Sequence, residues 1–584
     1  MVGTRACRAL LRATALDVKF RDALKQNIPP LNQRTTELPP GHRKQPTYRP
    51  LETTTIFDQD QALTLRDGTV IYADIFRPKT DEKVPAIVMW GPYGKTGTGM
   101  LNIGAMPMRA GIPETRLSGY ENFEGLDPAE WVPRGYAIVN VDPRGVNNSS
   151  GNIHFWGSTE GRDGHDAIEE LAKLPWCSGK LALAGNSWLA ISQYFIAAEQ
   201  PPHLACIAPL EGLSDPLREQ TLRGGIPNTA FNEWVATMLM GRNMIEDFAA
   251  MAKMDPVPRE YINDKRVDMA RIKVPVYIGA SYSSTLHTIG ALRAFEEIQH
   301  PDKWLVLHAT QEWYDLYSPS RTADLARFFD FHLKDLRNDW PQTAPVRMAF
   351  LNFTKPALLD QEYPDLPWHL PTATVQKLHP HPTGTLTPTA PIPETTIEYQ
   401  ADSPSELTFT YAFPSKTVLT GPSTLVLSIA AQHHNDLDIH AHIFKASASG
   451  TIISHLNIPI PANTPSEVAE KMTQNRVWRY LGPSGMLRAS KRHVSDELRG
   501  KTWETLSMER EDKVAPGEVV RLRVQLWPTG MVFEAGETLV LKVSGGEMGL
   551  RDLPGAMEMR NGNIGKHVIH IGGEMEGYLE FFML

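Results

Sequence analysis

The residues with the most chemical potential lie in Leu181-Ala182-Leu183-Ala184-Gly185-Asn186-Ser187-Trp188-Leu189-Ala190, where a short apolar run meets a helical pattern. A serine at such a junction can occupy the sharp strand-to-helix turn called a nucleophile elbow, which strains the backbone and exposes the hydroxyl. The next backbone N–H and the helix N-terminus then face the negative charge that develops on a substrate carbonyl oxygen. The chemistry would be acyl transfer, with Ser187 attacking a carbonyl carbon and the acyl-enzyme released to water or a substrate hydroxyl. The full Gly-x-Ser-x-Gly pattern is not met, because Leu189 stands where the second glycine would be. Gly-x-Ser alone fits an ordinary turn equally well. A nucleophilic serine also needs a base, and the base an orienting acid. Two other clusters of chemical residue types are weaker. Asp163-Gly164-His165-Asp166 matches an acid-rich first helical turn better than a metal site, and His433-His434-Asn435-Asp436 reads as a solvated loop between strands.

The elements that would position Ser187 are short apolar runs at Ala86–Trp90, Tyr136–Val141, Leu181–Ala184, Val274–Ala280 and Trp304–Leu307. Helical spacing separates them, as in Asp163 to Leu174, where Ile168, Leu171 and Ala172 share a face. Buried apolar strands alternating with helices predict an α/β fold with a mainly parallel sheet covered on both sides. Leu63 to Phe76 alternates around Asp67-Gly68 and reads as a hairpin. From Leu213 to about Met269 the strands give way to long helical stretches, such as Glu233 to Met240, which predicts a helical cap inserted into the domain. Beyond Trp340 the pattern turns to period two: Thr424–Ala430, Leu437–Phe444, Val519–Trp527 and Thr538–Val543 read as an antiparallel sandwich or jelly roll. The expected organisation is an N-terminal Pro-rich arm over 1–50 with regular structure starting near Thr54, an α/β domain over 51–212 and 270–340, a cap over 213–269, and a β-domain over 341–584.

A chain of 584 residues is too long for one core. Its net charge of −9 argues against a nucleic-acid-binding surface. Three cysteines, Cys7, Cys177 and Cys206, make neither a disulfide framework nor a zinc motif, so no metal is expected. There is no phosphate loop or dinucleotide fingerprint, and no cofactor is expected. No apolar run approaches the length of a membrane span. Met1 to Leu16 carries Arg5, Arg8 and Arg12 without an acid, a pattern shared by a mitochondrial presequence and a frayed surface helix. The expectation is a cytoplasmic protein acting on a small molecule, its oligomeric state left open, a homodimer included.

Several ordered motifs resemble the CocE/NonD hydrolases, the family of cocaine esterase and X-Pro dipeptidyl-peptidase. They are Gly91-Pro92-Tyr93-Gly94-Lys95, Asp142-Pro143-Arg144-Gly145, Glu160 to Asp166, Leu174 to Lys180, Gln193 and Pro201-Pro202-His203-Leu204 around the serine, then Gly485 to Ser490 and Phe533-Glu534-Ala535-Gly536. The similarity runs from about residue 55 to the C-terminus. It implies an α/β-hydrolase domain with a helical insertion and a C-terminal jelly roll. It also implies that Ser187 is the nucleophile, that Tyr93 supplies a hydroxyl to the oxyanion hole, and that Trp188, in place of the family's usual Tyr, supplies its backbone N–H.

The pattern breaks at the other two members of the triad. Ser283 stands where the family has its Asp, and Glu312 where it has its His. Two histidines lie close by. The preferred arrangement exchanges the partners, with His287 entering as base from the usual acid loop and Glu312 as its acid from the usual His loop. The alternative uses His308 as base, backed by Glu312 or Asp315; in a third arrangement these groups only pack or cap. The expected activity is hydrolysis or acyl transfer on an ester, lactone, thioester or amide, with an apolar cap pocket drawn from Phe231, Trp234, Met238 and Met240. The alternative is non-hydrolytic chemistry on the same scaffold, such as cyclisation or carbon–carbon bond formation or cleavage.

Overall fold

The structure is a computed structural model that describes residues 17–97, 99–390, 393–460, 464–548 and 562–584. The expectations for Met1 to Leu16, and Cys7, lie outside these residues. Eleven strands form the first sheet: β1 (Arg34–Leu38), β2 (Thr55–Thr64), β3 (Val70–Pro78), β4 (Val84–Trp90), β5 (Ala137–Asp142), β6 (Cys177–Asn186), β7 (Leu204–Leu210), β8 (Val276–Ser281), β9 (Lys303–His308), β10 (Val346–Phe350) and β11 (Leu358–Tyr363). Their order is β11-β10-β9-β8-β7-β6-β4-β5-β3-β2-β1. The stretch from β10 to β5 is parallel and the flanks are antiparallel. β4, β5 and β8 are buried along their whole length, as strands covered on both faces must be. Among the covering helices are α1 (Ser158–Ala172), α2 (Trp188–Ala198), α3 (Thr288–Glu297) and α4 (Glu312–Leu316). Every residue of α2 is buried, consistent with its Trp-Leu-Ala-Ile-Ser-Gln-Tyr-Phe-Ile-Ala-Ala composition.

Four readings of the sequence need correction. The arm is not unstructured before Thr54: β1 extends the sheet against β2, and Phe20–Asp22 pairs with Met244–Glu246. These are short, largely polar strands with half of their residues exposed, so they carry no apolar alternation to read. The segment 213–269 holds short helices, Ala230–Met238, Phe248–Ala252 and Arg259–Asp264, rather than long ones. Prolines 216, 227, 256 and 258 and the Gly224-Gly225 pair interrupt it. Strand β7 is absent from the apolar runs read in the sequence; it contains Pro209, a residue that is rare in central strands.

The second sheet has twelve strands and is antiparallel in its pairings, with a core that includes Leu425, Ile429, Ile443, Leu522, Leu541 and Phe581. The fold is thus an α/β-hydrolase domain joined to an all-β domain with a nearly closed sheet, as the sequence predicts. β10 and β11 belong to the first sheet although they lie beyond residue 341. The β-domain also reaches the first domain's loops: Asn457 accepts from Gln311 N–H at 2.7 Å, and His455 Nε2 lies 2.7 Å from the Ala309 carbonyl.

Candidate active site

Open parallel sheets bind ligands beyond the carboxyl ends of their strands. Here β4, β6, β7, β8 and β9 are consecutive neighbours in the sheet, and each is followed closely by a polar residue of interest. These are Tyr93 after β4, Ser187 after β6, Glu211 after β7, Ser283 and His287 after β8, and Glu312 after β9.

Ser187 has φ 53° and ψ −117°, a conformation that few L-residues adopt, and it precedes the first turn of α2. Its N–H bonds the Leu210 carbonyl at 3.2 Å, and its own carbonyl accepts from Ile191 at 2.9 Å. The missing second glycine is explained by packing. A Cβ on Gly91 would lie 2.3 Å from Leu189 Cδ1, and one on Gly185, itself at φ 126°, would lie 2.6 Å from Leu189 Cδ2. The space that the usual pattern gains at the fifth position is supplied here by Gly91 and Gly185, so a leucine fits. Beneath the turn, Glu160 Oε1 accepts from Trp90 Nε1 at 2.9 Å, Trp188 Nε1 at 3.1 Å and Ser192 Oγ at 2.9 Å. Burial pushes the Glu160 carboxyl up to about 7.

Tyr93 is buried, its ring edge-on to Phe123 and Trp188. Its hydroxyl interacts with Ser187 and with the Glu124 carboxyl; burial and that carboxyl hold its proton on far above the ordinary tyrosine range. The loop that presents Tyr93 is anchored by Lys95. The Lys95 ammonium lies 2.5 Å from Asp60, 3.8 Å from Asp74 and 3.7 Å from Asp142.

Glu124, which the sequence did not single out, sits against both expected oxyanion donors, the Tyr93 hydroxyl and the Trp188 N–H. It also accepts from Trp313 Nε1 at 3.0 Å. Burial, then the nearby Glu312 charge, raise its pKa well above the carboxylate range.

His287 is the cap of α3 and is 2% exposed, Glu312 opens α4 and is 5% exposed, and His287 Nδ1 lies 3.0 Å from Glu312 Oε2. Burial alone would lower the imidazole pKa, but Glu312 and Glu211 outweigh it and the net shift is upward. His308 belongs to a different pair: its Nε2 lies 2.8 Å from Glu211 Oε1 and 3.8 Å from Asp315 Oδ2. Asp315 is held by Arg321 at 2.6 Å. Ser283 has no carboxylate to offer; its hydroxyl lies 2.8 Å from Ser281 Oγ and bonds the Thr310 carbonyl at 3.3 Å.

Glu211, Glu312 and His287 each place one donor atom within 4.8 Å of the others. That set could hold a metal ion, and it equally forms a base flanked by two acids. Sequence spacing could not reveal it, since the three come from different strands. The one local signal for Glu211 was a carboxylate directly after the apolar run Leu204–Leu210. Of the cap residues, Phe231, Trp234 and Met238 are partly buried against the first core and Met240 is buried.

Residues 67–311 match the X-Pro dipeptidyl-peptidase (S15 family) model, and residues 338–580 match the X-Pro dipeptidyl-peptidase C-terminal non-catalytic domain. A CocE/NonD family hydrolase from Staphylococcus aureus superposes with a TM-score of 0.83 at 27% identity, covering 95% of this chain and 97% of that one. The chain belongs to the CocE/NonD family of serine hydrolases. Among curated proteins it is 30% identical over 178 residues to a putative serine esterase of Mycobacterium bovis, across 29% of this chain and 27% of that protein. It is 27% identical over 151 residues to the cocaine esterase of a Rhodococcus species, across 26% of this chain and 23% of that one. The matched stretch thus spans about a quarter of these relatives' length.

Proposed function

We propose that this CocE/NonD protein cleaves an ester or related acyl compound of a small organic molecule through an acyl-Ser187 intermediate. The observation that carries the reading is the strained φ 53° backbone of Ser187 between strand and helix, with the Tyr93 hydroxyl interacting with the serine. In the proposed cycle His287 takes the Ser187 proton as the hydroxyl attacks the carbonyl carbon. Glu312, 3.0 Å from Nδ1, orients the ring and offsets the imidazolium charge. The Tyr93 hydroxyl and Trp188 N–H take the oxyanion, and a neutral Glu124 yields that position to it. Collapse of the tetrahedral intermediate expels the alcohol, protonated by His287; water or another hydroxyl then repeats the sequence on the acyl-enzyme. The partners are exchanged relative to the family pattern: the base comes from the loop after β8 and the acid from the loop after β9.

The test is fluorophosphonate labelling with the modified residue located by mass spectrometry. One label per chain at Ser187, absent in Ser187→Ala, is the expected result. A folded protein left unlabelled would overturn the covalent route. A second reading, proton-transfer chemistry such as cyclisation or carbon–carbon cleavage run by His287 and Tyr93, is favoured by the two carboxylates that flank His287. Turnover that survives Ser187→Ala would select it.

A further inference from the structure

The residues just before His287, Thr285 and Leu286, form one wall of a half-open cavity of about 70 Å³. That is room for several waters or for a carboxylate or phosphate group. The other walls come from the 213–269 segment, through Arg223 and Asn228, and from the β-domain, through Arg479, Tyr480 and Trp527.

Both of its arginines are held by neutral groups. The Arg223 guanidinium lies 4.2 Å from the centre of the Trp527 ring and donates to the Ser484 carbonyl and hydroxyl. Arg479 donates to the Thr473 carbonyl and, at 2.5 Å, to Ser454 Oγ. All these acceptors are neutral. Five other enclosed arginines are matched to carboxylates, Arg144 to Asp163, Arg218 to Asp215, Arg321 to Asp315, Arg347 to Asp324 and Arg488 to Asp438, while the half-buried Arg109 and Arg492 donate to backbone carbonyls but line no such cavity with a second arginine. Among the described residues no carboxylate comes within ion-pair distance of Arg223 or Arg479. Of the two acids on the cavity wall, Glu219 is engaged by Ser214 and by Arg293 at 3.2 Å, and Glu547 attracts Arg223 through its charge. His442, also on the wall, is pushed down to about 3 by burial and is neutral. Burial likewise lowers Arg223 to about 10. A guanidinium withdrawn from water without a counter-ion is costly, and a planar oxyanion satisfies its fork of donors.

We infer that this cavity is an anion subsite, in which Arg223 and Arg479 bind the oxyanionic end of a substrate whose body rests on Trp527, Tyr480 and Leu286. Placed beside the His287 loop, it would select acyl compounds that carry a carboxylate or phosphate remote from the reacting carbonyl. The substrate assignment rests on the acyl-Ser187 reading; the anion site itself does not.

Two measurements separate them. Calorimetric titration of the full chain with glutarate, and separately with inorganic phosphate, reads the site without turnover. Saturable binding of either anion, weakened at least tenfold in both Arg223→Gln and Arg479→Gln, is expected, and the anion that binds identifies the group. No binding of either anion to the folded protein, or less than tenfold weakening in both variants, would overturn the site. Arg479 is partly exposed, so its variant serves if the Arg223 variant does not fold. The second measurement compares kcat/KM for mono-p-nitrophenyl glutarate with p-nitrophenyl butyrate. The wild type should favour the anionic ester, and Arg223→Gln should lower that ratio at least tenfold; an unchanged ratio would refute the substrate assignment. If neither ester turns over, the acyl-enzyme reading fails while the titration still judges the subsite.

Discussion

Replacing Glu312 by Gln is the sharpest test of the exchanged arrangement. The change keeps size and hydrogen-bonding ability and removes one charge 3.0 Å from His287 Nδ1. At an effective dielectric of about 20, unit charges at that separation attract by about 5.5 kcal/mol. Glu211 remains, with an oxygen no more than 4.8 Å from the ring nitrogen. Its full attraction for the imidazolium is about 3.5 kcal/mol on the same scale, and because the Glu312 charge helps to raise the Glu211 pKa, removing Glu312 lets Glu211 ionise more fully and recover part of the loss. Burial, the larger cause of the raised Glu211 pKa, persists in the variant and keeps that recovery partial. The expected loss in kcat/KM is therefore about a thousandfold, or about 4 kcal/mol, somewhat less than the ten-thousandfold that the acid-to-amide change costs in a serine-protease triad. The assay is p-nitrophenyl ester hydrolysis as a function of pH. The base must be neutral to accept the serine proton, so kcat/KM falls as pH drops through the His287 pKa. Because that pKa is raised and Glu312 is the largest upward contribution, the acidic limb of the Gln variant moves to lower pH. A loss below tenfold with an unmoved acidic limb would refute the role of Glu312. If His308→Gln, rather than His287→Gln, abolished activity and Ser187 labelling, the base would be His308.

Tyr93→Phe removes one oxyanion donor and should lower kcat by about 10²- to 10³-fold with little change in KM; a loss confined to KM would show that Tyr93 only shapes the pocket. Glu124→Gln replaces a buried carboxyl of raised pKa by a group that does not titrate. The wild type loses the stability of a protonated Glu124 as pH climbs above the ordinary carboxyl range toward the raised value, and the variant does not. Chemical denaturation should therefore show the variant gaining on the wild type between pH 5 and pH 8 by at least about 1.4 kcal/mol, the worth of one pKa unit; a pH-independent difference would contradict the burial argument. Dialysis against a chelator should leave esterase activity intact if Glu211, Glu312 and His287 serve as base and acids. Loss restored by zinc would instead make them metal ligands.

How far the sequence reached can be followed residue by residue. Five of the seven parallel strands and the serine turn were legible because strands buried on both faces are continuous apolar runs, and because the turn needs small residues around Ser187. The hairpin at Asp67-Gly68 and the long β-domain strands were legible for the same local reasons. Segments whose order depends on partners rather than pattern were not. The polar strand β1 is held by pairing with β2, and the helices of 213–269 are cut short by prolines and glycines. The tolerance for Leu189 was also invisible, because it depends on Gly91, almost a hundred residues away.

The pairing of the polar groups belongs to tertiary structure alone. The sequence determined that Ser187, Tyr93, His287, His308 and Glu312 follow strand-like runs, and strand ends are where such a sheet places its chemistry. It could not say that His287 meets Glu312 while His308 turns to Glu211, nor that the Glu124 carboxyl stands against Tyr93 and Trp188. Those contacts follow from which strands lie side by side, and from the β-domain segment at Asn457 and His455 that grips the loop carrying Glu312. Local propensity acts over a few residues; the distances that decide a charge pair are set by chain segments that meet only when the sheet is built.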